Sequence, residues 1–346
     1  MPKATIDDVA ELAGVSIKTV SRVVNREPNV RETTRDKVEK AIAKLHYRPN
    51  QSARNLASQH AHLIGLIYDD PSAYEIPSAG YVIRLQEGSL RACKSANYEL
   101  LIHPCNIRNK QVTDELKAFI EQVRPAGIII AAPLSNMAKI VRAISSTGTP
   151  YVRLSPGQSN GGQYAVRTND REISAQMTRY LASLGHKRVA FIKGHPDHKA
   201  VTRRFDGYLD GLEQSGLRFS QNLVGEGDNS FGSGEAAANK LLKRKKRPTA
   251  IFAANDDMAA GVMRVADRLN VDVPGQLSVA GCDDISLAQQ IFPRLTTIRQ
   301  PLSSIAERAA LALIESYRTR SSLKGSEVVP AKLVIRDSTG PVPSDA

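Results

Sequence analysis

Lys18 and Arg22 stand one helical turn apart within TIDDVAELAGVSIKTVSRVVN, residues 5–25. Side chains of this kind on one outward helix face can donate to guanine edges and to phosphate oxygens. Ile17 beside them can pack on a thymine methyl, and Ser21 or Asn25 can reach phosphates. Other groups that invite a chemical reading lead nowhere. His195 and His198 in HPDH have no further metal-ligand pattern and read as a surface loop after a strand. Asp256-Asp257 and Asp283-Asp284 are adjacent pairs, not opposed carboxylates with separate acid and base roles. No P-loop is present, and no serine–histidine–acid arrangement can be argued. Catalysis is not expected, nor is a metal or cofactor.

The elements that must position Lys18 and Arg22 are short helices. Thr5 opens the first, with Asp7 and Asp8 in its first turn, where carboxylates suit the positive end of the dipole. Ile6, Val9, Ala10 and Ala13 make an apolar stripe, and Gly14 ends the helix in a left-handed turn. Ser16 caps a second helix reaching about Asn25, with Val20, Val23 and Val24 inward. A third, about Thr34 to His46, adds Val38, Ile42 and Leu45 to the core. Three such helices around a tight turn can present a recognition helix.

The run TIDDVAELAGVSIKTVSRVVN followed by TRDKVEKAIAKLHYRPNQSARNLAS closely resembles the headpiece of the lactose-repressor (LacI/GalR) family. One departure is Arg31, where many relatives carry a small polar cap before the third helix. The resemblance implies DNA contacts from Thr5, Ser16, Ile17, Lys18, Thr19, Ser21, Arg22 and Asn25. Pro49 halts the third helix, and residues 50–58 make about two turns, below the length at which isolated helices persist in water. Asn50 can cap this hinge, and Ala53 and Leu56 share a face with Ala57 beside them. The resemblance implies that two hinge helices, one per subunit, pack over the minor groove with Leu56 as a wedge. DNA affinity would then depend on an order–disorder element that a distant site can bias.

From His62 onward, apolar strands alternate with amphipathic helices: HLIGLIY, YELLIH, AGIIIAA and PYVRL, then a second series from YAVRT through RVAFIKG, NLVGEG and TAIFAAN to LSVAGC. This pattern predicts parallel sheets covered on both faces. It resembles the family's two-lobed α/β, periplasmic-binding-protein-like effector domain. The expected organisation is a helix-turn-helix head over 1–49, a hinge over 50–58 and an effector and dimerisation domain over 59–340. Crossings near 157, 287 and 320 would give a first lobe of 61–157 and 287–319 and a second of 158–286 and 320–340. Ligands on such sheets bind beyond the carboxyl ends of the strands. Carried over from RRFDG, AAND and GCDD, Arg204, Asn255 and Asp283 would contact the effector. Asp170, Arg153, Tyr68, Asp69 and Tyr74 are further candidates. A fork, an amide and a carboxylate suit vicinal hydroxyls, because each holds two hydrogen bonds at once. Asp256 reads equally as a ligand contact or as the cap of the helix that follows. Gly207 and Gly281 read as close-packing or turn residues. Many relatives place an aromatic near Asn229; here the nearest is Phe231.

The formal net charge of +12 suits a polyanionic partner, yet residues 1–60 hold only +4 of it. The run Lys243–Arg247 reads as a solvated helix end. Three cysteines without ligand spacing fit a reducing compartment. No export signal precedes the first helix, no apolar run is long enough to span a membrane, and no tetramerising heptad closes the chain. The expected protein is a cytoplasmic homodimer that binds a palindromic DNA operator. It would repress carbohydrate-utilisation genes until a sugar or sugar derivative releases it. The alternatives are a purine-type co-repressor mode and, from another class, a solute-binding protein, which would need an export signal and have no use for residues 1–58.

Overall fold

In the computed structural model, the residues described are 4–24, 29–47, 62–70, 79–157 and 163–342. The chain divides into two compact units, 1–61 and 62–346.

The first unit holds α1 (Ile6–Ala13), α2 (Ile17–Val24) and α3 (Glu32–Lys44). Thr5 and Asp8 form a reciprocal capping box: the Thr5 N–H donates to Asp8 Oδ2 (2.7 Å) and the Asp8 N–H donates to Thr5 Oγ1 (3.3 Å). Gly14 closes α1 at φ 65°. Ser16 Oγ accepts the Thr19 N–H at 3.2 Å and so caps α2. α3 begins two residues before its expected start. The Arg31 carbonyl accepts from the N–H groups of Thr34 and Arg35, while the Arg31 side chain supplies no cap. Val9, Ala10, Val20, Val23, Val38 and Ala41 form the core of this unit.

In the second unit the strands are β1 (Leu63–Asp69), β2 (Glu99–Cys105), β3 (Gly127–Ile130), β4 (Tyr151–Leu154), β5 (Ala165–Thr168), β6 (Val189–Ile192), β7 (Val224–Gly225), β8 (Ala250–Ala253), β9 (Ser278–Asp283), β10 (Thr296–Arg299), β11 (Ser326–Val329) and β12 (Lys332–Val334). The helices between them are α4 (Ala79–Ala96), α5 (Val112–Val123), α6 (Ala138–Ser145), α7 (Asp170–Ser183), α8 (Lys199–Gln214), α9 (Phe231–Leu242), α10 (Asp256–Arg268), α11 (Leu287–Gln290) and α12 (Leu302–Thr319). One sheet runs β11-β5-β4-β3-β1-β2 and the other β12-β10-β9-β8-β6-β7. The first is parallel throughout. In the second, the edge strand β12 is antiparallel to β10. Fully buried runs such as Gly127–Ile130 and Ala250–Ala253 reflect helices on both faces of each sheet.

The crossings between lobes differ from expectation. YAVRT, read as opening the second lobe, is β5 and pairs with β4 in the first sheet. The chain leaves that sheet only between β5 and α7, returns between β10 and α12, and leaves again between β11 and β12. Each crossing lies about ten residues later than the spacing suggested. A strand followed by a helix looks the same locally in either lobe; only the pairing partner, distant in sequence, decides its sheet. The short strands β10, β11 and β12 were not anticipated for the same reason.

Two glycines allow the close approaches that shape the second lobe. A Cβ on Gly207 of α8 would lie 2.1 Å from the Arg171 carbonyl oxygen of α7, and one on Gly281 of β9 would lie 2.4 Å from Asp256 Oδ1. Backbone cannot yield cheaply, so Gly207→Ala should lower stability by about 1–3 kcal/mol. Gly232 of α9 has nothing within 4 Å of such an atom, and Gly232→Ala should be neutral or slightly stabilising. Thermal unfolding of the two variants checks the pair; equal melting temperatures would contradict the packing argument.

Candidate functional site

On α2, Ile17, Lys18 and Arg22 are exposed, Thr19 and Ser21 half-buried, and Val20 and Val23 buried. One face therefore builds the core and leaves the basic face outward. The hydroxyls of Thr5 and Ser16 are committed to helix caps, so these two residues also set where α1 and α2 begin. Asn25 and the hinge residues Asn50, Ala53, Leu56 and Ala57 lie outside the described residues, as does Tyr74.

In the second unit, a cavity of about 270 Å³ opens at the carboxyl ends of the strands. Tyr68 and Asp69 reach it from the end of β1, Arg204 from α8, Asn255 from just after β8, and Asp283 from the end of β9. These five residues, far apart in sequence, share one cavity as expected of facing strand ends.

Arg204 is buried. Its Nε donates to Asp170 Oδ1 at 3.0 Å, its Nη1 donates to the Ala254 carbonyl at 2.6 Å, and Asp283 Oδ1 lies 3.7 Å away. Asp170, also buried, accepts a second bond from Thr168 Oγ1 at 2.6 Å. It stands behind Arg204 and does not line the cavity. Arg153 belongs to a separate cavity altogether.

Asn255 has two roles. Its Oδ1 caps α10 by accepting the Met258 N–H, and its Nδ2 donates to the Asn229 carbonyl at 2.8 Å. Asp256 is therefore not the cap. It is fully buried and ties neighbouring segments together, accepting the Ile285 N–H at 3.0 Å and the Thr297 hydroxyl at 2.5 Å. These bonds hold a strained stretch in which Asp283 (φ 123°) and Asp284 (φ 55°) both have positive φ. Asp284 in turn receives Arg299 at 2.6 Å and Arg336 at 2.5 Å.

Several lining residues were missed. His195 and His198 belong to the cavity wall, not to a surface loop, because the segment after β6 folds back over the strand ends. The His198 ring meets Tyr81 edge-on at 6.0 Å. The Tyr81 hydroxyl and His198 Nδ1 are buried and without hydrogen-bond partners among the described residues. Burial pushes the His198 pKa down to about 4, so its ring is neutral near pH 7. Phe231 is not in the wall; its ring lies under Arg264. The rings offered to a ligand are those of Tyr68, Tyr81 and the two histidines. Nothing local in the sequence marks Tyr81, whose place depends on how the lobes face one another.

A helix-turn-helix unit with an outward basic face and a two-sheet unit with a polar cleft define a ligand-responsive DNA-binding regulator. Residues 5–50 match the description "Bacterial regulatory proteins, lacI family", and residues 178–339 match "Periplasmic binding protein-like domain". The chain is 34% identical over 342 residues to the HTH-type transcriptional regulator GalR of Escherichia coli K12, covering 97% of this chain and 95% of that protein. It is also 34% identical to the HTH-type transcriptional repressor PurR of Yersinia enterocolitica, covering 98% of both. Among solved structures, it is similar to the lac repressor dimer bound to operator and the anti-inducer ONPF (TM-score 0.82, 25% identity, 98% of this chain and 100% of that one). It is likewise similar to the transcriptional regulator CelR–cellobiose complex (TM-score 0.74, 26% identity, 97% and 99%). The chain belongs to the LacI/GalR family of transcriptional regulators, which are DNA-binding proteins and not enzymes. Among the described residues, no helix is long and apolar enough to cross a membrane.

Burial raises Asp283 to about 7 despite the nearby Arg204, and raises Asp256 to about 8, with the charge of Asp283 adding to the effect. An unfolded aspartate titrates near 3.9, so folding favours the protonated form of each. Their contribution to stability is fully present below about pH 4 and is lost as pH rises through about 7 and 8. Asp283→Asn should therefore shrink the fall in melting temperature between pH 5 and pH 8, as read by calorimetry. An unchanged fall would remove Asp283 from this account.

Proposed function

We propose that this protein is a homodimeric repressor of carbohydrate-utilisation genes, released from a palindromic operator when an uncharged sugar occupies the cleft. The observation that carries the sugar reading is the cleft wall. Asp69 and Asp228 balance Arg108 and Arg204 there, Asp283 with its pKa raised to about 7 adds only a partial charge, and the Tyr81 hydroxyl and His198 Nδ1 are buried without hydrogen-bond partners among the described residues. Such a wall favours neutral hydroxyls and disfavours a phosphate or carboxylate. The volume lies near the low end of ligand pockets, about 300–1,000 Å³, which suits a small ligand. CelR, with its cellobiose, supports a sugar by similarity.

On the DNA side, Lys18 and Arg22 are proposed to read bases from α2. Leu56 is proposed to wedge into a central step from the hinge over residues 50–58. Two heads would occupy successive major grooves. The equal identity to PurR favours a second reading, in which a purine acts as co-repressor.

A gel shift on a selected operator, with neutral sugars and purines added in turn, separates the two. Release by a sugar supports the first reading, and tightening by a purine supports the second. Arg204→Ala should abolish the response to the effective ligand while leaving operator affinity within about twofold; a normal response would exclude Arg204 from the site. Leu56→Ala should weaken operator binding by at least about tenfold, on the order of 1.4 kcal/mol, with effector affinity retained. Undiminished operator affinity would refute the wedge.

A further inference from the structure

The second cavity differs from the cleft in electrical character. It measures about 440 Å³, and its wall includes Arg153, Arg171, Lys199 and Arg203 against the single carboxylate of Asp206. Arg171 is already held by Asp210 through two bonds of 2.5 and 2.8 Å. Among the described residues, the other three cations donate only to neutral oxygens. Arg203 donates twice to the Gly157 carbonyl, and Lys199 donates to the Pro196 carbonyl at 3.0 Å.

Arg153 is the informative member. It is 8% exposed, at the end of β4. Its Nε donates to the Ser135 carbonyl at 2.7 Å and its Nη1 donates weakly to Gln163 at 3.4 Å. Among the described residues, no carboxylate forms an ion pair with Arg153, Lys199 or Arg203. Residues 158–162, which follow Gly157, contain no acidic residue either. A buried guanidinium without a counter-charge is unfavourable, as burial alone works against the charge. It persists where something else supplies the anion. Lys199 and Thr202 come from the first turn of the 16-residue α8 and Arg203 from the start of its second, where the helix dipole adds to the attraction.

We propose that this cavity is a second ligand site, distinct from the effector cleft, that takes a small anion bearing a phosphoryl group. Arg153 comes from the first lobe and Lys199 and Arg203 from the second, so the anion bridges the lobes. The site stands independently of which effector fills the cleft.

The test uses the full chain at constant ionic strength. Thermal shift and calorimetric titration are run with inorganic phosphate, pyrophosphate and a hexose phosphate, with chloride as the matched control. The wild-type protein should be stabilised in a saturable manner, as expected for a ligand that binds the folded state. The order among the three probes identifies the preferred carrier. Lys199→Ala, a change at an exposed side chain, should weaken binding roughly tenfold. Arg153→Met should abolish it, and in anion-free buffer should melt no lower than wild type. Absence of saturable stabilisation, or equal affinity in wild type and Lys199→Ala, would overturn the site; the latter would place the anion on the basic head. A neutral sugar still acting on Lys199→Ala keeps this result separate from the fate of the effector reading.

Discussion

A positive charge withdrawn from water organises the effector unit. The Arg204 guanidinium is satisfied by a carboxylate at the start of α7, a carbonyl after β8 and, at longer range, a carboxylate at the end of β9. These anchors sit where the chain passes between lobes or ends a strand. Asp170 begins the helix that follows the first crossing. The remaining acids of the cluster extend the pattern: Asp256 holds Thr297, and Asp284 holds Arg299 just before the second crossing and Arg336 beyond the third. Ligand-facing groups and crossing segments are thus joined in one buried polar network, in which loss of a single partner is felt by the others. A ligand that draws on Arg204 or Asp283 acts directly on the bonds that tie these segments together within the second lobe.

Helix α8 separates two electrical environments. Arg204 turns toward a cleft of mixed charge, while its neighbour Arg203 and, one turn earlier, Lys199 face a cation-rich cavity. Adjacent positions on a helix point about 100° apart, so one turn of helix serves both. The same helix thus presents side chains to both cavities.

Local signals made much of this readable from sequence. Thr5, Gly14 and Ser16 announced the helix ends because caps are short-range chemistry, and the missing side-chain cap at Arg31 was visible as a wrong residue type. Apolar runs revealed most strands of both sheets. Sheet membership was not legible, since β5 and β10 look like their neighbours and are assigned by pairing across more than a dozen residues. The same limit applied to the cleft. Arg204, Asn255 and Asp283 stood in recognisable motifs, but whether Asp170 touches a ligand or supports Arg204 depends on about 3 Å of placement. Arg153, at the end of β4, carries no mark of which cavity it enters. Tyr81 and His198 become cavity residues only when α4 and the segment before α8 are brought face to face.

The close approach of Asp256 to Gly281, where an added Cβ would lie 2.4 Å from Asp256 Oδ1, bears on how such a regulator diversifies. The two positions constrain one another, and both are wired to the strained Asp283–Asp284 bend, so drift at any of them forfeits the whole arrangement. Tyr68 and Tyr81 line the cavity from the first lobe and take no part in that network of bonds. Over evolutionary time, new chemical tastes would be acquired more readily through the Tyr68 and Tyr81 side than through the mutually constrained Arg204 side.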